Sequence, residues 1–272
     1  MLDRTTETTT AAEIVLTAGD LYDALRRVRH AMCKEETRYY LNGVYLHHVL
    51  RDNVLRFVAT DGHRLAMVDI RAPEGAHTVR AVILSRAFVA DAIKATSKAR
   101  DAFKRVRLAI GPSQTRLTDW DGNVIEGALI DGTFPDYERV IPRGEPPHGS
   151  VTVARESFIR AVAAMTAFVD ASDNKRPALR FAFAGSQLTL SAAMDGRDSV
   201  CRGSASAILD LAETTMTEPR DIGFYGAQVL DILNSLKGQQ VRFDFFDVGG
   251  PNNFVGDRAD GNALHVIMPV KI

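Results

Sequence analysis

The 272-residue sequence predicts an α+β protein built from two copies of one unit, and three observations predict this class. A short strand precedes an amphipathic helix near the start of the chain. Several short strands joined by turn signals follow the helix. The same order then returns in the second half of the chain. A unit with two helices and mostly hairpin-linked strands is expected to pack both helices on one face of its antiparallel sheets.

The first unit is predicted to occupy residues 13–144. A strand at 13–17 leads to a helix that Asp20 is predicted to cap, and Ser85 is predicted to cap a second helix. The second helix carries an apolar stripe made of Phe88, Val89, Ala92, Ile93 and Thr96. Strands are predicted at 38–46, 54–59, 64–70, 106–110, 115–118 and 124–130.

The second unit is predicted to occupy residues 148–272, after a linker rich in Pro and Gly. Its opening strand at 150–154 and the helix that follows repeat the start of the first unit. The segment 188–196 (LTLSAAMDG) resembles 55–62 (LRFVATDG), with Asp-Gly in the same place. The segment 222–237 likewise parallels the second helix of the first unit. These matches predict an internal duplication.

Composition limits the class of protein. The apolar fraction of 46% and the charged fraction of 25% are typical of globular proteins, and the formal net charge of −1 excludes a globally basic nucleic-acid binder. Cys33 and Cys201 form no CxxC pair, which argues against a disulfide framework and a zinc site. No apolar run reaches the roughly 20 residues of a membrane span. The polar residues 1–12 are expected to be a disordered tail, and the predicted location is the cytoplasm.

The segment Phe57–Asp69 (FVATDGHRLAMVD) contains the strongest turn signal, Asp61-Gly62, between two alternating apolar arms. Directly after the turn, His63 and Arg64 stand among apolar residues, where an ordinary hairpin would carry Lys, Glu or Thr. A surface hairpin with an incidental His and Arg is the alternative interpretation.

Basic residues are concentrated in the first unit. The stretch 80–107 contains eight basic and two acidic residues, and the first helix adds further Arg side chains. A basic helical face on a neutral protein suits sequence-independent contact with a phosphate backbone, and a solvated helix face is the alternative. Motifs typical of nucleotide-binding, hydrolytic or metal-dependent enzymes are missing from the sequence. The prediction is a binding protein, not an enzyme, without a cofactor or metal.

Four motifs resemble the bacterial sliding clamp, the beta subunit of DNA polymerase III. They are ATDGHRLA at 59–66, RYYLNG at 38–43, DGTFPDYERVIP at 131–142 and MPVKI at 268–272. The resemblance covers the chain from about Glu13 onward and implies the DNA-clamp fold. In that family each chain carries three helix-backed domains, and two chains close a six-domain ring around duplex DNA with the helices inside.

Only the second and third domains of the family are expected here. Three chains of two domains would restore a six-domain circle, so a homotrimer is the preferred expectation. The alternatives are a monomeric or dimeric peptide-binding fragment that competes with a full-length clamp, or a chain that mixes with one. The expected partners are duplex DNA and peptides of DNA polymerases and the clamp loader.

The resemblance also assigns a role to the Asp61-Gly62 hairpin, as one wall of a pocket between two domains. In the family this pocket takes a short apolar motif with a Gln, and an apolar cleft with a few fixed polar groups suits such a peptide. Carried over by motif, the pocket residues are Leu41, Thr60, Gly62, His63, Arg64, Leu65, Pro135, Arg139, Val140, Met268, Pro269 and Val270. The chain departs from the usual pattern at Val270-Lys271-Ile272, Gln228 and Arg176.

For DNA, the resemblance implies contacts from the inner helices and from the loop before RYYLNG. The corresponding residues are Arg26, Arg27, Arg29, Lys34, Arg38, Tyr39, Lys94, Lys98, Arg155 and Arg160. Binding through these residues is expected to be weak, blind to sequence and steeply dependent on salt.

Overall fold

The computed structural model describes residues 12–98, 103–146, 148–170, 178–195, 202–257 and 262–272. Its contacts divide the chain into two compact units. Unit 1 comprises the described residues up to Asp61 together with Met67–Pro135, and unit 2 comprises Gly62–Ala66 together with the described residues of Asp136–Ile272. Residues 1–11 of the predicted tail lie outside the described residues, and the first strand begins at Ala12.

Unit 1 contains eight strands and two α-helices among the described residues, in the order β-α-β-β-β-β-α-β-β-β. They are β1 (Ala12–Thr17), α1 (Ala18–Val28), β2 (Gly43–Val49), β3 (Val54–Thr60), β4 (Arg64–Arg71), β5 (Val82–Ser85), α2 (Arg86–Thr96), β6 (Arg105–Ile110), β7 (Gln114–Thr118) and β8 (Val124–Ala128). The first three residues of β4 group with unit 2. Short 3₁₀ helices at Arg29–Ala31, Glu36–Leu41 and Ala76–Thr78 connect these elements.

Unit 2 repeats the same order of strands and helices in its described residues. They are β9 (Ser150–Ala154), α3 (Arg155–Asp170), β10 (Ala178–Ala184), β11 (Gln187–Asp195), β12 (Arg202–Thr214), β13 (Arg220–Tyr225), α4 (Gly226–Ser235), β14 (Gln240–Asp244), β15 (Asn252–Gly256) and β16 (Ala263–Ile267). The 3₁₀ helix Tyr137–Val140 precedes them. The predicted α+β class, with helices packed on antiparallel sheets, is confirmed.

The sheets follow one pattern in both units. In unit 1 the strand orders are β1-β6-β7-β8 and β4-β3-β2-β5. In unit 2 the order is β13-β10-β11-β12-β9-β14-β15-β16, and every strand pair from β13 to β16 is antiparallel. A register shift between Leu211 and Glu213 marks a bulge where β12 leaves β11 and pairs with β9.

Helix caps show one correct and one wrong prediction. The Ser85 hydroxyl accepts a hydrogen bond from the Phe88 N–H, and the five residues of the predicted stripe on α2 are all buried. Asp20 does not cap α1. The Thr17 hydroxyl accepts from the Asp20 N–H at 2.9 Å, because α1 follows β1 directly and begins at Ala18.

The motif RYYLNG does not begin with a strand as predicted. Residues Glu36–Leu41 form a 3₁₀ helix, and the strand begins only at Gly43. A close approach explains the position of Gly43, since a Cβ there would collide with the Leu84 carbonyl oxygen of β5. The Tyr side chains of this motif therefore precede the sheet, and Tyr39 is 54% exposed.

Each unit has its own apolar core. In unit 1, Leu21, Ala24, Leu25 and Val28 on α1 are fully buried, and α1 packs against α2. The core of unit 2 is rich in phenylalanine. Its central ring, Phe243, lies 4.8–5.9 Å between centroids from the rings of Phe183, Phe224, Phe245 and Phe254. Rings at such spacing contribute packing beyond the burial of their area.

Candidate functional site

The Asp61-Gly62 hairpin connects β3 to β4 as predicted. Gly62 has φ +88°, a left-handed conformation that glycine adopts without steric cost. Within unit 1, the Arg38 guanidinium donates to the Asp61 carbonyl oxygen at 3.0 Å and to the Glu35 carboxylate at 2.8 Å. Arg38 thus holds one side of the turn, while His63 is exposed.

Arg64 makes an ion pair inside unit 2. Its Nη1 donates to Oδ2 of Asp231 on α4 at 2.7 Å, and the Arg64 side chain is only 11% exposed. Gln228 precedes Asp231 by three positions, so both side chains lie on the same surface of α4. The sequence pattern does not identify Asp231, since nothing in its local spacing marks it as a partner of the hairpin.

The C-terminal residues lie beside this hairpin and along β13. The Met268 N–H donates to the His63 carbonyl oxygen at 2.8 Å, and the Val270 N–H donates to the Gly223 carbonyl oxygen at 2.9 Å. A Cβ at Gly223 would collide with the Val270 carbonyl oxygen and the Ile272 side chain. Met268, Pro269 and Val270 remain partly exposed. Gly223 is not among the predicted site residues, although a glycine inside a strand is a signal of close backbone approach.

The structure brings together some of the predicted pocket residues. Gly62, His63, Arg64 and Leu65 group with Met268–Val270 in unit 2. Arg139 and Val140 belong to the same unit, on an exposed 3₁₀ turn where Arg139 pairs with Asp136 at 2.9 Å. Leu41, Thr60 and Pro135 belong to unit 1. Leu41 and Leu65 are 5% and 2% exposed, so neither side chain offers much surface to a ligand.

A cavity of about 280 Å³ in unit 1 involves none of the predicted pocket residues. It lies where β5 approaches the chain after β8, and its lining includes Tyr45, Arg80, Ile83 and Ile130. Arg80 donates to the carbonyl oxygens of Gly111 and Pro112, so its guanidinium is already engaged. Burial raises the pKa of the Tyr45 hydroxyl.

Several predicted DNA contacts are exposed cations of unit 1. Arg29 follows α1, Lys34 lies in the next loop, Lys94 lies in the last turn of α2 and Lys98 lies just after it, and all four are exposed. Arg26 is 29% exposed and 3.9 Å from Asp23. Arg26 on α1 and Lys94 on α2 thus place cations on two helices that pack against each other.

The prediction that Arg27 contacts DNA is wrong. Its side chain is fully buried and lies 3.7 Å from Asp23, so it cannot contact a phosphate as predicted. Arg27 follows Ala24 by three positions, which places it on the buried side of α1. The expectation that the basic charge lies on helices also holds only in part, since the exposed Arg105 and Arg107 lie on β6.

The two predicted cations of unit 2 that the structure describes differ in how free they are to contact a phosphate. Arg160 is exposed and pairs loosely with Glu156 at 3.7 Å. The Arg155 Nε donates to the Leu233 carbonyl oxygen at 2.8 Å, which ties it to α4. Arg176 lies outside the described residues, as does Cys201, whereas Cys33 is buried with a free thiol.

Metal-ligating clusters and membrane-spanning helices are both absent from the described residues. These residues contain no group of three or more His, Cys, Asp or Glu side chains that could hold a metal ion. No helix among them is long and apolar enough to cross a membrane.

Comparisons with known proteins identify the family. Residues 16–136 match the family model described as DNA polymerase III beta subunit, central domain. The beta sliding clamp of Caulobacter vibrioides is 32% identical over 265 residues, which cover 96% of this chain and 66% of the relative. The beta sliding clamp of Escherichia coli is 28% identical over 262 residues. The chain therefore spans about two thirds of the length of these curated relatives.

Solved structures agree. A sliding clamp of Bartonella birtlesii, bound to griselimycin, is 33% identical with a TM-score of 0.85, and the match covers all of this chain and 69% of that one. The sliding clamp of Caulobacter crescentus is 30% identical with a TM-score of 0.84. These similarities confirm the DNA-clamp fold. Sliding clamps are accessory subunits without catalytic activity, in agreement with the prediction of a non-enzyme. The chain belongs to the bacterial beta sliding clamp family, the beta subunit of DNA polymerase III.

Proposed function

We propose that the protein is a processivity factor, which encircles duplex DNA without reading its sequence and tethers polymerases and repair proteins to it. The observation that carries the proposal is the set of exposed cations on and after α1 and α2, in a family member whose formal net charge is −1. Cations placed on helices of an otherwise neutral protein suit contact with phosphates. The proposed role would place the protein in the cytoplasm.

The proposed DNA contacts exclude the buried Arg27. They are Arg26, Arg29, Lys34, Arg38, Tyr39, Lys94, Lys98, Arg155 and Arg160. Of these, Arg29, Lys34, Tyr39, Lys94, Lys98 and Arg160 are exposed. Arg38 and Arg155 are already hydrogen-bonded within their own units, so we expect them to contribute less.

We also propose that the hairpin and the C-terminal residues bind short peptides of DNA polymerases and the clamp loader. The support is the arrangement inside unit 2, where His63, the Arg64–Asp231 pair and Met268–Val270 are held together by hydrogen bonds. Such a surface offers partly exposed apolar side chains beside a fixed guanidinium and an exposed imidazole. A few fixed polar groups among apolar ones are what select a short motif.

For assembly, we propose a homotrimer. Three copies of the two units described here would supply six units. A head-to-tail contact closes a ring when the rotations that relate successive copies add up to a full turn. Light scattering during gel filtration at micromolar concentration is expected to give three times the mass of the chain. A stable monomer would contradict the ring.

The decisive experiment compares circular with linear duplex DNA. After incubation with a clamp loader, a ring stays on nicked circular DNA during gel filtration and is lost when the DNA is cut once. Equal retention on both forms would exclude a topological tether. A chain that binds polymerase peptides but shows no such difference would instead be a peptide-binding fragment that competes with a full-length clamp.

A further inference from the structure

The sheet β1-β6-β7-β8 of unit 1 turns one face to the core and the other to solvent. On β6, Val106 and Leu108 are buried, whereas Arg105 and Arg107 are exposed. Successive side chains of a strand point to opposite faces, so both arginines lie on the solvent face. We propose that this face binds an extended, acidic segment of a partner protein, at a place separate from the hairpin and the C-terminal residues. The proposal does not depend on the function proposed above.

One row of side chains crosses the solvent face from edge to edge. The strand register pairs Val15 on β1 with Arg107, and Arg107 with Thr118 on β7. Thr118 is paired in turn with Val124 on β8. Directly paired residues point to the same face of a sheet. Val15 is 46% exposed and Val124 is 53% exposed, so this Val15–Val124 row places an exposed cation between two exposed apolar side chains.

The charge of Arg107 is available to another molecule. Within the described part of the chain, neither Arg107 nor Arg105 makes an ion pair. A guanidinium can bind a carboxylate through two parallel hydrogen bonds, and apolar neighbours that exclude water strengthen the attraction. Arg105, two residues earlier on β6, adds positive potential beside the row.

The acidic side chains closest to the row are engaged elsewhere or lie at its edge. In the next row along the strands, Arg116 is paired with Glu126 at 2.6 Å. The Asp119 carboxylate accepts hydrogen bonds within the turn between β7 and β8, one of them from the Asp121 N–H. Glu13 also belongs to the next row, at the β1 edge of the sheet. A carboxylate from another molecule is therefore the counter-charge that suits Arg107.

The length of the row fits an extended segment that crosses the four strands. Neighbouring strands are about 4.8 Å apart, so Val15 and Val124 are separated by about 14 Å over three intervals. In an extended chain, residues i, i+2 and i+4 share one face, and i and i+4 are also about 14 Å apart. Residues i and i+4 would then cover the two valines, and residue i+2 would lie above the middle of the row, near Arg107. The matching pattern is apolar, any, acidic, any, apolar.

A protein segment suits this row better than a nucleic acid does. A polynucleotide carries a phosphate at every nucleotide, and placing such charges against Val15 and Val124 would cost solvation without a compensating contact. A protein segment covers the valines with apolar side chains and supplies one carboxylate for the cation. Arginine at the centre of a contact that excludes water is typical of the residues that dominate protein interfaces.

Synthetic peptides test the proposal. The probe is a fluorescein-labelled peptide in which leucine, aspartate and leucine alternate with serine, and the control peptide carries lysine in place of aspartate. Fluorescence anisotropy should show binding of the acidic peptide only. Arg107→Glu should weaken this binding by about tenfold or more, and Val124→Ser by about three- to tenfold. Arg71→Glu and Leu50→Ser should leave it unchanged, because both exposed positions lie in unit 1 outside this sheet.

An exchange of charges provides a second test. The lysine peptide should bind Arg107→Glu about as tightly as the aspartate peptide binds the unsubstituted protein, because the attraction is restored with its sign reversed. The proposal is overturned if the aspartate peptide does not bind the unsubstituted protein, if Arg71→Glu weakens binding as much as Arg107→Glu, or if the exchange restores nothing.

Three further measurements would assign the row to something else and overturn the proposal. The first is a single-stranded or duplex oligonucleotide that binds in place of the peptide and is lost in Arg107→Glu. The second is a lower mass of Arg107→Glu by light scattering, which would make the row a contact between copies of this chain. The third is weaker binding by Arg107→Glu of the peptide with apolar residues and a Gln, which would mean that both peptides use one site. Unchanged binding of that peptide keeps this proposal separate from the proposed function.

Discussion

Arg64, directly after the hairpin, donates a 2.7 Å hydrogen bond to Asp231, 167 positions later in the sequence. The pair fixes a guanidinium next to the exposed His63 and beside the C-terminal residues of unit 2. A charged side chain that is only 11% exposed retains its place because a carboxylate compensates its charge. The orientation of Arg64 is therefore set by α4.

Replacing Asp231 should weaken peptide binding more than stability. In Asp231→Asn the Arg64 guanidinium loses its ionic partner, so we expect the affinity for a fluorescent peptide with apolar residues and a Gln to fall about three- to tenfold. Because Asp231 is 49% exposed, the free energy of unfolding should change by less than about 1 kcal/mol.

The control for that variant is Asp221→Asn. It removes the carboxylate that pairs with Arg180 across β10 and β13, also in unit 2 and also largely exposed. Fluorescence anisotropy should show unchanged peptide affinity for the control. Equal losses in both variants would mean that Arg64 has no special part in recognition.

A side chain at Gly223 should displace the C-terminal residues. In Gly223→Ala the added methyl group meets the Val270 carbonyl oxygen, so the hydrogen bond from the Val270 N–H must lengthen. We expect a stability loss of about 1–3 kcal/mol and a clear loss of peptide affinity, measured by denaturant unfolding and anisotropy. Gly249→Ala is the matched control, since nothing lies within 4 Å of a Cβ at that position. Intact peptide binding by Gly223→Ala would separate the C-terminal residues from the proposed site.

Charge reversal should abolish DNA binding through the helices. The triple variant with Glu at Arg26, Arg29 and Lys94 removes three proposed phosphate contacts. The plot of log affinity against log salt concentration should become less steep. Its slope should shrink in magnitude by about 0.9 for each phosphate that is no longer neutralised, and so by up to about 3 in total. Filter binding to duplex DNA at several salt concentrations measures it. Glu at Arg51, Arg105 and Arg107 changes the net charge equally away from the helices. A similar loss of DNA affinity in both variants would mean that the net charge of the protein, and not the position of the cations on the helices, controls binding.

Asp244 should make stability depend on pH. Burial raises the pKa of its carboxyl, and the neighbouring Arg242 offsets only part of that effect. The unfolded chain then loses this proton at lower pH than the folded chain, so stability falls as the pH rises through that interval and stays lower above it. Asp244→Asn removes the titrating carboxyl, so the variant does not lose stability over this pH interval. Its stability relative to the unsubstituted protein should rise as the pH increases above the ordinary Asp range of about 4, as followed by denaturant unfolding. A difference that is constant with pH would contradict the assignment.

The sequence predicted what local chemistry controls. Ser85 caps α2 and the apolar stripe on that helix is buried as expected, because spacing and cap signals act within a few residues. The prediction for Asp20 is wrong because Thr17, three residues earlier, provides the hydroxyl at the start of α1. The strand predicted at 38–46 begins only at Gly43, because residues up to Leu41 form a 3₁₀ helix.

Contacts between residues that are far apart in the sequence could not be predicted from the sequence pattern. The burial of Arg27 depends on how α1 packs, and the charge of the residue gave no sign of it. Asp231 and Gly223 act on the hairpin and the C-terminal residues from positions far along the chain. Such pairings follow from the packing of unit 2. Their partners are far apart in the sequence, so no local spacing of residues indicates them.

The division of β4 has a practical consequence for fragments of this protein. Residues Gly62–Ala66 complete unit 2, although they precede its other described residues by about seventy positions. A proteolytic fragment released by cleavage near Pro146 would leave these residues behind on the N-terminal piece. The C-terminal fragment would then expose the side of β16 that they cover, and we expect it to aggregate or to recapture its missing segment, not to behave as an autonomous domain.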